Sequence, residues 1–150
     1  MIDRAWLRKQ LIPDGSVRHI VAEEPDGEDW QRLWTALRRH DLQPFYISGG
    51  NRARMPPAIG PVFVAAPEAS QTVLFEWRGV PVTFSVYGGT AADFTVDPPG
   101  TDHDVAIIDL LGWLGDLLHR PVTLIHENQP AYAILSYDPA DGRYAHPPWP

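Results

Sequence analysis

Cysteine is missing from this 150-residue chain, which removes disulfide staples, thiolate nucleophiles, thiolate metal sites and iron–sulfur clusters together. Lysine is nearly missing: Lys9 stands alone, and every other basic position is arginine. No apolar run approaches the roughly 18 residues that a membrane span requires. The opening stretch Met1–Lys9 lacks the apolar segment of a secretion signal. These absences set the expectation of a chain off the membrane, in a reducing compartment such as the cytoplasm. Also missing are the Gly-x-Ser-x-Gly elbow, the phosphate-loop spacing and the dinucleotide fingerprint. No cofactor is therefore expected.

What the chain has is apolar material, at 44% hydrophobic with six tryptophans, enough for an ordinary core. It also carries a net charge of −7. That charge repels phosphate backbones, and the arginines form no single stripe interleaved with aromatics, so nucleic-acid binding is not expected. At long range an acidic protein favours a basic or neutral partner. No repeat, low-complexity tract or polar linker divides the sequence, which reads as one domain over 1–150.

Along the chain, Asp3–Leu11 fits a short helix and Val17–Ala22 a strand. Asp26-Gly27-Glu28-Asp29 is a cap signal ahead of Trp30, Leu33, Trp34 and Leu37 at helical spacing, with Arg38 and Arg39 at the closing end. Phe45–Ile47 reads as a strand, the stretch from Ser48 to Pro61 as a long loop, and Val62–Ala66 as a strand. The clearest β signal is Thr72–Trp77 and Val80–Tyr87 around Arg78-Gly79. A two-residue turn there sets Trp77 opposite Val80, Phe75 opposite Val82 and Val73 opposite Phe84, all on one face. A further strand covers Phe94 and Val96. Thr101 as N-cap with Asp104 at the third helical position predicts a capping box for the longest helix. Its apolar residues from Ile107 to Leu118 leave Asp109, Gly112, Asp116 and His119 as a polar stripe. Pro121–His126 and Tyr132–Tyr137 form a second hairpin around Glu127–Pro130, followed by a turn at Asp138–Gly142. The expected fold is α+β, a largely antiparallel sheet of about seven strands with two main helices packed on one face.

Few constellations suggest catalysis. Asp102-His103-Asp104, with His119 or His126 downstream, is the most enzyme-like set and would serve a metal-assisted hydrolase. Successive helical residues diverge by about 100°, however, and helix capping explains both acids. Ser48 before two glycines reads better as a turn than as a nucleophile. Glu76, Asp93 and Asp97 are acids without decisive spacing, and Glu76 falls opposite the apolar face of its strand.

Contact chemistry is easier to find. Arg52 and Arg54 place donors in the long loop, and Met55 with its following prolines gives an apolar flank. Asp93 and Asp97, near Pro98-Pro99-Gly100, suggest an acidic edge able to steer a basic partner. Trp149, between two prolines, either docks on its own domain or reaches a partner or second protomer.

The segments Asp93-Phe94-Thr95-Val96-Asp97-Pro98, Leu110-Leu111-Gly112-Trp113-Leu114-Gly115-Asp116-Leu117-Leu118 and Pro121-Val122-Thr123-Leu124-Ile125-His126-Glu127-Asn128 resemble small uncharacterised bacterial proteins, some of the immunity-protein type. The resemblance covers about a third of the chain through packing and turn positions and transfers no active residue. The resulting expectation is a non-enzymatic protein-binding module, of the immunity or inhibitor type, that contacts its partner through Arg52, Arg54, Met55, Asp93, Asp97 and Trp149. The alternatives are the metal-assisted hydrolase and a structural subunit that dimerises through a sheet edge or its proline-rich tail.

Overall fold

Capping residues and apolar spacing set the helices of this chain, and two-residue alternation sets its strands. In the computed structural model, which describes residues 1–127 and 129–150, the order is α1 (Arg4–Gln10), β1 (Arg18–Ala22), α2 (Gly27–Leu37), β2 (Phe45–Ser48), β3 (Asn51–Arg52), α3 (Gly60–Ala65), β4 (Gln71–Trp77), β5 (Val80–Gly88), β6 (Ala91–Val96), α4 (Asp104–Leu118), β7 (Val122–His126), β8 (Gln129–Asp138) and β9 (Arg143–Ala145). The expected turn between β7 and β8 includes Asn128, which lies outside the described residues.

The strands form one antiparallel sheet of nine in the order β3-β2-β4-β5-β6-β1-β7-β8-β9. The first strand of the chain thus joins two meanders that form later. The fold is α+β, as expected, with β3 and β9 as short edge strands that the sequence did not announce. At the β4–β5 hairpin the expected register is present in full: Trp77 opposite Val80, Phe75 opposite Val82, Val73 opposite Phe84. Arg78 and Gly79 both take positive φ, 47° and 85°, the backbone twist that a two-residue hairpin turn needs.

The inner sheet face buries Ile20, Val73, Phe75, Val82, Phe84, Phe94, Leu124 and Leu135 against Trp30, Leu33 and Trp34 of α2 and Ile107, Leu110, Leu111 and Leu114 of α4. Each such side chain contributes about 1.5–3 kcal/mol by leaving water. Helix α2 opens with a capping box: Asp26 Oδ1 accepts the Asp29 N–H at 2.9 Å, and Asp29 Oδ2 accepts the Asp26 N–H at 3.0 Å. Helix α4 lies over β1, β7 and β8 and against α2. Gly115 permits that approach, since a Cβ there would stand 2.6 Å from the Tyr137 ring. The outer face alternates out of the core and displays His19, Phe45, Leu74, Glu76, Thr83, Tyr87 and Thr95.

Three expectations are corrected. Val62–Ala66 belongs to a helix, not a strand: Ile59, Val62 and Phe63 are buried whereas Val64 is 81% exposed. Apolar residues at positions i, i+3 and i+4, with proline in the first turn, are a helical pattern. The stretch Ser48–Pro61 is no free excursion. It folds into the β2–β3 hairpin, then lies along α2, whose Trp34 Nε1 donates to the Pro56 carbonyl at 2.7 Å and whose Gln31 Oε1 accepts the Ile59 N–H at 2.8 Å. Finally, Thr101–His103 is a 3-10 turn and α4 starts at Asp104 without a side-chain cap. Asp104 makes no capping box because its carboxylate, 3% exposed, turns instead to α1. It accepts from Arg4 Nε at 2.7 Å and Arg8 Nε at 3.2 Å.

Candidate functional site

Ion pairing sorts the arginines of this acidic chain into two groups. Arg4 and Arg8 hold Asp104, Arg18 holds Asp14, Arg32 and Arg120 hold Asp29, and Arg78 holds Asp109. Arg38, Arg39, Arg52, Arg54 and Arg143 are exposed and take part in no ion pair among the described residues. Three of these, Arg38, Arg52 and Arg54, line one cleft of about 690 Å³, together with Gln43, Pro44, Tyr46, Ala53 and Met55. No acidic side chain lines it among the described residues.

Local structure explains the convergence. Arg38 is the C-cap of α2, where a cation complements the carbonyl end of the helix. The Gly49-Gly50 turn, with φ of 57° and 83°, folds β3 back on β2 so that Arg52 opposes Ile47. The chain is held past β3 by the Ala53 N–H, which donates to the Tyr46 carbonyl at 3.0 Å. Arg54 and Met55 are thereby carried across the end of α2. The Arg52 guanidinium lies 4.4 Å above the Phe45 ring centroid, a stacking that fixes the plane while leaving edge N–H groups available. On the cleft wall Tyr46 is buried and its hydroxyl bonds Gln71 Oε1. Gln71 Nε2 donates in turn to Ser48 Oγ at 2.8 Å and the Ala69 carbonyl at 3.0 Å. Ser48 is thus a structural acceptor, with no histidine among its hydrogen-bond partners. Met55 is buried to 9% exposure, so it forms apolar lining rather than a projecting contact.

The structure therefore brings together Arg52, Arg54 and Met55 and adds Arg38. In the sequence Arg38 was hidden by its helix-closing role, a sufficient reason for a basic residue at that position. It does not bring Asp93 and Asp97 into one edge. Both belong to the outer-face row of β6 and its continuation, four residues and so about 13 Å apart. Asp97 is exposed. Asp93 is occupied, accepting from the Tyr87 hydroxyl at 2.9 Å and meeting His19 Nδ1 at 3.1 Å. The Tyr87 phenol is pushed up by burial and by the neighbouring Asp93 carboxylate. Asp93 lines a second cleft of about 670 Å³ with Glu24, Asp26, Trp30 and Thr90.

Trp149 docks on its own domain. Its Nε1 donates to the Ala133 carbonyl at 2.6 Å, and its ring meets Trp6, His126 and Tyr132 edge to face, leaving the side chain 39% exposed. His146 pins the same tail, with Nδ1 2.8 Å from the Ile134 carbonyl and Nε2 accepting the Asp3 N–H at 2.8 Å. Together these side chains cover β8 carbonyls beyond the end of β9, which keeps a sheet edge from presenting free acceptors.

The enzyme-like set is dispersed. Asp104 is committed to two arginines, His126 Nε2 to Gln10 Oε1 at 2.9 Å, and His119 closes α4 in the left-handed region, φ 55°. From Asp104 to His119 the helix rises about 22 Å. Among the described residues no group of three His, Asp or Glu side chains is placed to hold a metal ion. No helix among them is long and apolar enough to cross a membrane. No family model matches the chain, and neither a curated protein nor a solved structure matches it.

Proposed function

We propose that this chain is a non-enzymatic protein-binding module that acts by occluding a partner, as immunity and inhibitor proteins do. One observation carries the reading: Arg38, Arg52 and Arg54 converge on a rim cleft without internal counter-charge. Holding like charges together lowers stability slightly, and no internal role accounts for Arg52 and Arg54 beyond the stacking of one of them. Arginine in this setting is the side chain most used at protein interfaces. Of the side chains expected of a hydrolase, Asp104 is by contrast engaged by Arg4 and Arg8, and His126 by Gln10 and the Trp149 ring. The −7 charge steers the approach of a partner at long range, while the cleft selects what docks locally.

The test is affinity capture by the tagged wild type and by an R52A/R54A variant from lysate of the source organism, read by intact-complex mass. The expected result is one stoichiometric partner, lost with the variant, whose own activity is suppressed in the complex and returns on release. Identical retention by both forms, or a retained partner with unchanged activity, overturns the reading.

A further inference from the structure

The outer sheet face and the tail are weaker starting points than the arginine cleft. A solvated face is ordinary for an antiparallel sheet, and the tail is satisfied by its own domain. The cleft has unspent charge, an apolar lining and a defined spacing. Arg52 closes edge strand β3 and Arg54 lies two residues beyond it, past the Ala53 N–H that still donates to the Tyr46 carbonyl at 3.0 Å; two residues of extended chain span about 6.6 Å. An extended peptide repeats its own side chains on one face at the same interval. Arg38 enters from α2, across the cleft from β3. Pro44, Tyr46 and Met55 supply apolar lining between the charges.

We propose that this cleft receives an extended segment of the partner protein that carries carboxylates at alternate positions, paired with Arg52 and Arg54, with Arg38 closing on a third. The inference rests on the protein-binding reading and adds the chemistry of the docking segment. Guanidinium groups pair carboxylate oxygens through two parallel N–H bonds, which fixes orientation as well as charge. A polyphosphate suits the site less well. The net negative charge and the carbonyl end of α2 disfavour both anions alike, but a polyphosphate has no apolar group to set against the Pro44, Tyr46 and Met55 lining. Alternation matters because the residues between the carboxylates then turn away from the arginines.

The experiment uses the full chain and three probes in a fluorescence or calorimetric titration: a peptide alternating glutamate with valine, the same peptide with glutamine for glutamate, and inorganic phosphate. The glutamate peptide is expected to bind at least 10-fold more tightly than the glutamine peptide. Raising the salt from 50 to 300 mM should weaken it, and phosphate should compete poorly. R54A and R38A should each weaken it about 5-fold or more, and R143A, at an exposed arginine on β9, should leave it unchanged. Equal binding of the two peptides overturns the proposal. So does an R143A loss as large as that of R54A, which would mean diffuse charge, or phosphate binding more tightly than the glutamate peptide. If the peptides fail while R52A/R54A still abolishes partner capture, the alternating-carboxylate chemistry falls and the protein-binding reading stands. Failure of capture alone has the opposite meaning.

Discussion

The two ends of α2 open onto clefts of nearly equal size, about 670 Å³ at the amino end and about 690 Å³ at the carboxyl end. Their linings carry opposite charge. At the amino end three acids work for the fold: Asp26 caps the helix, Asp29 behind it gathers Arg32 and Arg120, and Asp93 holds Tyr87 and His19, while Glu24 on the same cleft is exposed and in no ion pair among the described residues. At the carboxyl end Arg38, Arg52 and Arg54 have no acid to hold. Charge that is spent on neighbours stabilises a fold, and charge left unspent on a rim is available to a ligand. The acidic cleft is therefore the structural end of the helix and the arginine cleft the binding end, although composition alone points to an acid-seeking role for neither.

The largest break in that comparison is Asp29→Ala. This carboxylate is 8% exposed in its side chain and serves a capping box and two arginines at once. Its removal should cost about 2–4 kcal/mol, combining a lost cap with a broken buried ion-pair cluster. Urea denaturation should show a lower midpoint, with binding at the opposite cleft retained by the folded fraction. A loss below about 1 kcal/mol would show that the amino-end acids are as dispensable as surface charge.

The next effect is acid sensitivity. Burial pulls the Asp29 carboxyl up, yet the Asp26 N–H, Arg32 and Arg120 together hold it below the ordinary carboxylate value. The Arg4 hydrogen bond does the same for Asp104 against its burial. A lowered folded-state value means that the unfolded chain takes up protons first. The stability from these groups is complete above the ordinary value of about 3.8, and drains as pH falls through the lower folded-state values. Asp104→Asn should cost about 1–2 kcal/mol at pH 7, and its gap from wild type should shrink below about pH 4. A gap that persists undiminished at pH 2 would assign the loss to packing instead.

How much of this was legible in the sequence depended on whether a residue's reason was local. The β4–β5 register follows from a turn of two residues and the apolar pattern beside it. The start of α2 follows from Asp26 and Asp29 three positions apart. Val62–Ala66 alone, short and with two valines, reads as a strand; the helical signal appears only when Ile59 and Pro61, assigned to the preceding loop, are read with Val62 and Phe63 as one pattern. Asp104 reads locally as a cap because its real partners, Arg4 and Arg8, lie about a hundred positions away in sequence. The cleft was half legible. Arg52, Arg54 and Met55 share one segment, whereas Arg38 joins them through the fold, and its local reason as a helix-closing cation concealed the second one.

The smallest effect on the fold should come from the residues with the largest effect on binding. Replacing Arg38 and Arg54 together with alanine removes no ion pair present in the structure and opens no core, so stability should move by no more than about 0.5 kcal/mol. It can even rise, because like charges on one cleft repel. Measured beside Asp29→Ala, the pair of variants forms a double dissociation: one end of α2 governs the denaturation midpoint, the other governs the affinity for the glutamate peptide. A loss of more than about 1.5 kcal/mol from the arginine pair would show that these side chains hold the β3–α3 segment onto α2. The unspent charge at the carboxyl end would then be structural after all, and the contrast between the two clefts would collapse.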